Sequence, residues 1–266
     1  MSIKNRLENY ISKGFTLAQA RSFVAQEIIL SKIEKSKYID RVLLKGGVVM
    51  YNITKEQRRS TLDLDLDFIR INIQNNKNIY SFIDNLNKKD TEYQIEISDS
   101  IEELHHQDYR GKRVKLRITD GKDAIKFKLD IGVHTLLAIN QDSMCFSFEH
   151  SKNLTLLVNP PEQIFAEKLF ALAKLGSISS RFKDIDDIFY LINNLTLDFN
   201  VIRKCLSIFT KDYSYSMKGV KDVINSATDC LCSTFFEKRY NENNGSWLNI
   251  KFDLVKQNIL NYIKKL

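Results

Sequence analysis

Proline is almost missing from this chain: 266 residues hold two, and these are adjacent, Pro160-Pro161. The scarcity excludes Pro-rich linkers and polyproline recognition segments. The single pair reads as a boundary, with Pro161 in the first turn of a following helix. Cysteine is scarce as well. Cys145, Cys205, Cys230 and Cys232 lack the density of a disulfide framework, and no CxxC pair suggests a zinc site. Cys230 and Cys232 fall in a helical pattern that points their thiols apart. Of the four histidines, the tandem His105-His106 has no partners at ligand spacing, and His134 reads as structural. No apolar run approaches the ~18 residues of a membrane span. The opening MSIKNRLENY has no apolar signal core. A cytoplasmic protein with reduced thiols and no membrane partner is expected.

What the chain does have is enough apolar residue for a core. Its 43% hydrophobic and 11% aromatic content suits one large domain or two modest ones. The net charge of +7 and pI near 9.0 permit a nucleic-acid partner, although a general bias toward Lys, Asn and Ile contributes to the basicity. Residues 1 to about 36 read as helical, with Thr16 an N-cap before Leu17. Arg41–Leu44 reads as a short strand, 48–53 as a helical turn and 80–87 as a helix. Strands are expected at 93–97, 113–118 and 124–131. Beyond Pro160-Pro161 the pattern turns helical, at 161–174, 184–195, 199–209, 217–238 and 248–264, with Gly176–Ser180 a loop. The natural division is an α/β domain with N-terminal helices over 1–158 and a helical domain over 159–266.

The most informative stretch is Leu44-Lys45-Gly46-Gly47, followed twelve residues later by Arg59-Ser60-Thr61-Leu62-Asp63-Leu64-Asp65-Leu66-Asp67-Phe68. Leu62 to Phe68 alternates strictly between apolar residue and Asp, the period of a half-buried strand. Asp63, Asp65 and Asp67 therefore share one face at roughly 7 Å spacing. Aspartate forms strands poorly and like charges repel, so a positive partner is required, and a divalent cation bound by carboxylate oxygens is the natural one. An EF-hand is excluded: Phe68 stands where the sixth loop position needs glycine, and Gln74 where the twelfth needs glutamate. The glycine pair can bring backbone N–H groups to a phosphate.

A second strand, Ile125-Lys126-Phe127-Lys128-Leu129-Asp130-Ile131-Gly132, places Lys126, Lys128 and Asp130 on one face. Beside the first strand, Asp130 becomes a third carboxylate and the best general base by type, with Lys128 a phosphate contact. Two metal ions bridged by such carboxylates can clamp the attacking and leaving oxygens of a phosphoryl displacement. A third strand carries Arg113, Lys115 and Arg117 on one face, a basic strip able to track RNA phosphates and expected to stand apart from the carboxylates.

Gly46-Gly47, Arg59-x-Thr61-x-Asp63-x-Asp65 and Lys128-x-Asp130-x-x-Gly132 together resemble the polymerase-beta-like nucleotidyltransferases of the AbiEii/AbiGii abortive-infection toxin group. Two later segments strengthen the resemblance. Pro161 to Leu172, with its Ala166-Glu167-Lys168 core, is similar to the family's third motif, and Arg181-x-x-Asp184-x-x-Asp187 to its fourth. The four motifs run in order from residue 45 to 188, and the last 78 or so residues carry none.

The resemblance implies a polymerase-beta-like core with a mixed, partly antiparallel sheet, followed by an α-helical domain that contributes to the active-site face. It implies Asp63, Asp65 and Asp130 as catalytic ligands of Mg²⁺ or Mn²⁺, with Lys128 beside them. Lys45, Gly46, Gly47, Arg59, Thr61 and Lys168 would bind the nucleotide. Asp67, Glu167, Arg181, Asp184 and Asp187 would form a supporting charged cluster. The activity implied is transfer of a nucleotide from an NTP to RNA, most naturally the 3′ end of tRNA, with release of pyrophosphate. Growth would stop, and a cognate antitoxin would neutralise the toxin. Two departures stand out. Leu66 follows the second Asp where relatives often have an aromatic, so an Asp65/Asp67 register stays open, and Val48 replaces a hydroxyl residue after the glycines. The rival readings are an antibiotic-type small-molecule nucleotidyltransferase and a catalytically silent binding protein of the same fold.

Overall fold

The computed structural model describes residues 1–104, 111–212, 217–242 and 246–266. His105 and His106 lie outside the described residues. The chain divides into two compact units, one of residues 1–137 and 141–159, the other of 138–140 and 160–266.

The first unit opens with α1 (Ile3–Ser12) and α2 (Leu17–Glu34). Thr16 and Gln19 close a reciprocal capping box that starts α2 where the sequence places it. Then follow β1 (Val42–Lys45), α3 (Gly47–Thr54), a 3₁₀ turn (Gln57–Arg59), β2 (Leu64–Phe68) and α4 (Lys77–Leu86). The remaining strands are β3 (Gln94–Ile97), β4 (Glu102–Leu104), β5 (Gly111–Thr119), β6 (Ala124–Val133), β7 (Asp142–Phe146) and β8 (Leu154–Val158). They form one mixed sheet in the order β3-β5-β6-β2-β1-β8-β7, with β4 beside β5. The pairs β2–β6 and β1–β8 are parallel and the others antiparallel.

Alternation decides the faces. Leu64, Leu66 and Phe68 of β2 and Leu129 and Ile131 of β6 are fully buried, which leaves the acidic residues of both strands together on the opposite face. The acidic strand starts at Leu64 rather than Leu62. Its antiparallel partner β1 ends at Lys45, opposite Asp65, because Gly46 turns the chain into α3. Leu62 and Asp63 therefore have no ladder partner there.

The second unit holds α5 (Pro161–Leu175), a 3₁₀ turn (Gly176–Ile178), α6 (Phe182–Asn194), α7 (Phe199–Asp212), α8 (Val220–Cys232), α9 (Thr234–Glu242) and α10 (Phe252–Ile263). Pro161 occupies the start of α5, and Gly176 ends it at a positive φ of 58°. The single helix expected over 217–238 is two. Ser233 takes an extended conformation, and its carbonyl and hydroxyl accept from Glu237 N and Phe236 N to begin α9. Among the described residues no helix is long and apolar enough to cross a membrane.

Candidate active site

One level of the sheet carries a row of four charged residues on four adjacent strands. Arg113 on β5 lies opposite Asp130 on β6, Asp130 opposite Asp65 on β2, and Asp65 opposite Lys45 on β1. The order is cation, carboxylate, carboxylate, cation. The guanidinium of Arg113 grips Asp130 with both arms, Nε to Oδ1 and Nη2 to Oδ2, each at 2.8 Å. Lys45 Nζ lies 2.7 Å from Oδ1 of Asp67, one pleat along β2. Lys45, Asp67 and Asp130 are buried, and Asp65 is half-buried. Burial raises the Asp65 carboxyl from 3.8 to about 6; Lys45 opposes this, and Asp130, Asp63 and Asp67 add to it. The centre of the row is short of positive charge.

The glycine turn closes on this row. Gly46 sits at φ 66° and ψ −140°, a region essentially confined to glycine. A Cβ there would lie 2.3 Å from Oδ2 of Asp65. A Cβ on Gly47 would meet Cβ and Oγ1 of Thr61 at 2.6 and 2.7 Å. Each glycine is thus matched to a residue of the Arg59–Asp65 segment. Among the described residues no side chain caps α3, and its first N–H groups start beside Asp65. Replacing Gly46 with Ala is expected to cost about 1–3 kcal/mol of stability through the backbone conformation alone, and to lower transfer further by displacing Asp65. Urea denaturation and a transfer assay check both, and an Ala variant with wild-type turnover would show that the close approach does not matter.

The loop bearing Thr61 and Asp63 is fastened from beneath by α2. Ser22 Oγ donates to Thr61 O at 2.9 Å, and Gln26 Nε2 donates to Thr61 O at 3.2 Å and Asp63 O at 3.4 Å. Gln19 Nε2 donates to Ser60 Oγ at 2.8 Å. The two carbonyls settle the orientation of the Gln26 amide, since its flipped form would set oxygen against oxygen. Arg59 is buried in the preceding 3₁₀ turn. Sequence reading passed over Ser22 and Gln26, which an i,i+4 step places on one face of α2.

Lys128 is exposed on the acidic face of β6, opposite Lys115. The basic strip does not stand apart from the carboxylates as expected, because Arg113 is the partner of Asp130. Lys115 Nζ lies 3.2 Å from Asp99 and 2.5 Å from Glu102, and Arg117 lies 3.6 Å from Glu96. Hairpin register is the reason: the turn between Thr119 and Ala124 sets Arg113 against Asp130 seven pairs along. A two-residue Asp-Gly turn would pair Thr119 with Lys122 and set Arg113 against Lys128; the four-residue connection over 120–123 sets it against Asp130 instead. His134, expected to be structural, is buried and donates its backbone N–H to Phe68 O at 3.0 Å.

In the second unit Lys168 on α5 is buried, its Nζ 2.6 Å from Asp184 and 2.7 Å from Asp187 of α6. Arg181 reaches Asp184 at 3.3 Å, and Glu167 accepts from Gln163 Nε2 at 2.9 Å. The third and fourth motifs therefore meet. Trp247 Nε1 donates to Asp187 at 3.0 Å. Asp186, which sequence reading did not single out, accepts from Tyr240 OH, Ser246 Oγ and the backbone N–H of Trp247. It ties Tyr240 and residues 246–248 to α6.

Oxygen-only donors of this kind suit a hard divalent cation. Among the described residues no three Asp, Glu, His or Cys side chains converge into a closed metal cage. What the row does show is two facing carboxylates, one already drawing a guanidinium and the other raised by burial and by its acidic neighbours. The set fits a cation on chemistry.

Comparison with known proteins agrees with the motifs. No curated protein matches the chain. Among solved structures, JHP933 from Helicobacter pylori is 15% identical with a TM-score of 0.44, over 91% of this chain and 90% of its own. An antigenic nucleotidyltransferase-like protein from Paracoccidioides brasiliensis is 14% identical with a TM-score of 0.44, over 77% of this chain and 94% of its own. The family described as nucleotidyl transferase AbiEii toxin of type IV toxin–antitoxin systems matches residues 28–237. That span takes in all four motifs, and the chain belongs to this family of nucleotidyltransferases.

Proposed function

We propose that this nucleotidyltransferase moves a nucleotide from an NTP onto an RNA acceptor, the 3′ end of tRNA being the preferred one, and so arrests growth. Family membership carries with it an NTP substrate and a cognate antitoxin. The observation that supports the chemistry best is the pairing of Asp65 with Asp130 across parallel strands, with the Gly46 turn pressed against Asp65. Asp63, Asp65 and Asp130 would hold Mg²⁺ or Mn²⁺. The bound ion would neutralise the triphosphate and ease loss of the proton from the attacking hydroxyl. The commitment of Asp67 to Lys45 favours the Asp63/Asp65 register over Asp65/Asp67.

The protein's own groups do the positioning. The N–H groups that open α3 would face the phosphates, while Gln26 and Ser22 hold the loop that aims Asp63. Arg59 and Lys128 would supply positive charge. On the sheet face Lys126 and Lys128 lie exposed beside Lys115 and Arg117, a surface suited to an RNA backbone.

Incubation with each labelled NTP, Mg²⁺ and total tRNA tests the proposal. Label in tRNA supports it, whereas label only in small molecules, or none, overturns the acceptor. Lys128→Ala should raise the KM for NTP about tenfold to a hundredfold, the value of a charge-assisted hydrogen bond of roughly 1.5–3 kcal/mol. Lys128→Arg should restore part of the loss, since a planar fork is not a point charge. Steady-state kinetics decide this, and unchanged KM and kcat in the Ala variant would remove Lys128 from the site.

A further inference from the structure

Arg113 has no place in the four motifs, yet it grips the carboxylate row with both arms of its guanidinium. Both of its Asp130 contacts are 2.8 Å charge-assisted hydrogen bonds in fork geometry, which engages both carboxylate oxygens at once. A divalent ion that uses Asp130 needs at least one of the same oxygens. Each oxygen has a second lone pair, but two cations on one carboxylate repel and draw on the same charge, so ion and guanidinium compete electrostatically. The two partners are unequally held: the Arg113 side chain is 32% exposed and that of Asp130 only 9%. When the pair opens, the arginine is the member with room to move. It then presents a planar set of N–H donors one strand away from Asp130 and two from Asp65. Planar guanidinium groups match the oxygens of phosphate bidentately.

We propose that Arg113 is a substrate-binding residue released by the metal: it holds Asp130 while no divalent ion is bound, and turns to a phosphate of the nucleotide once the ion takes Asp130. The inference rests on the metal and NTP reading above and deepens it by naming a phosphate ligand and the event that frees it. Metal binding and phosphate binding are then coupled through one side chain. Removing that side chain affects the two in opposite directions. The metal loses a competitor and the phosphate loses a ligand. A merely structural arginine would move both the same way, or neither.

The experiment measures Mn²⁺ binding by calorimetry and paramagnetic resonance, and Mn²⁺-dependent binding of inorganic tripolyphosphate by calorimetry. The full-length wild type is compared with Arg113→Gln, Arg113→Lys and Asp130→Asn. Circular dichroism and melting confirm that each variant is folded. Arg113→Gln should bind Mn²⁺ about tenfold more tightly than wild type and tripolyphosphate with Mn²⁺ about tenfold more weakly. Arg113→Lys should lie between the two in both, and it carries the test if the Gln variant does not fold. Asp130→Asn should lose Mn²⁺ binding. If Asp130→Asn loses Mn²⁺ while the Arg113 variants bind the ion no more tightly than wild type, the exchange is overturned and the metal site stands. If Asp130→Asn binds Mn²⁺ like wild type, the metal reading falls and the exchange falls with it.

Discussion

Asp65→Asn is expected to abolish nucleotide transfer and, without metal, to make the protein more stable. The first effect follows from removing a proposed metal oxygen from the centre of the charged row. Several kcal/mol of transition-state stabilisation correspond to a loss of about 10³-fold or more. The second follows from the Asp65 carboxyl, which burial and its acidic neighbours raise to about 6. The folded state binds this proton more tightly than the unfolded chain does. The stability it carries is therefore complete below about pH 4 and is lost as the pH rises to about 6 and beyond. Asparagine keeps the shape and removes the charge. Urea denaturation of the metal-free proteins should show the variant about 2–3 kcal/mol more stable at pH 7.5, with the difference closing at pH 4. Equal stability at both pH values would show that Asp65 is not held under charge stress. A variant that kept its turnover would remove it from the reaction.

The largest loss of stability is expected at Lys168. Its Nζ lies between Asp184 and Asp187, and Asp187 has no exposed surface. Lys168→Met keeps much of the side-chain volume and removes the lysine charge from a buried carboxylate, at a cost of about 3–5 kcal/mol. Trp247 still donates to Asp187, and that contact cannot replace a full charge. Thermal and urea unfolding give the magnitude. Adding Asp187→Asn should restore part of it, because the penalty comes from the uncompensated charge rather than from a missing contact. A single variant as stable as wild type would show that the pair does not hold the helices together. A role for Lys168 at the nucleotide, implied by its motif, would require it to leave both carboxylates.

The elements with strong local patterns were legible. The N-cap at Thr16, the strand and turn around Lys45-Gly46, the start of α5 at Pro161 and the long strands β5 and β6 all follow from residue order. The edge hairpin of β7 and β8 was not assigned. Short strands at a sheet edge carry little periodicity, and β8 belongs to the sheet by its parallel pairing with β1, a contact across more than a hundred residues. The break at Ser233 was missed because apolar spacing continues across it, while the capping that ends one helix and begins the next depends on a single hydroxyl.

What the sequence determined alone is the inventory of candidate site residues: three carboxylates on strands of period two, a glycine pair, and two helix motifs rich in charge. These follow from backbone chemistry, since a period of two assigns faces and only glycine tolerates the turn at residue 46. The tertiary structure decided which charges face one another. Strand register across β5, β6, β2 and β1 turned separate motifs into one row, gave Asp130 to Arg113 and Asp67 to Lys45, and left Asp65 between them. Register is set by the pairing of whole strands, and no window of local sequence contains it.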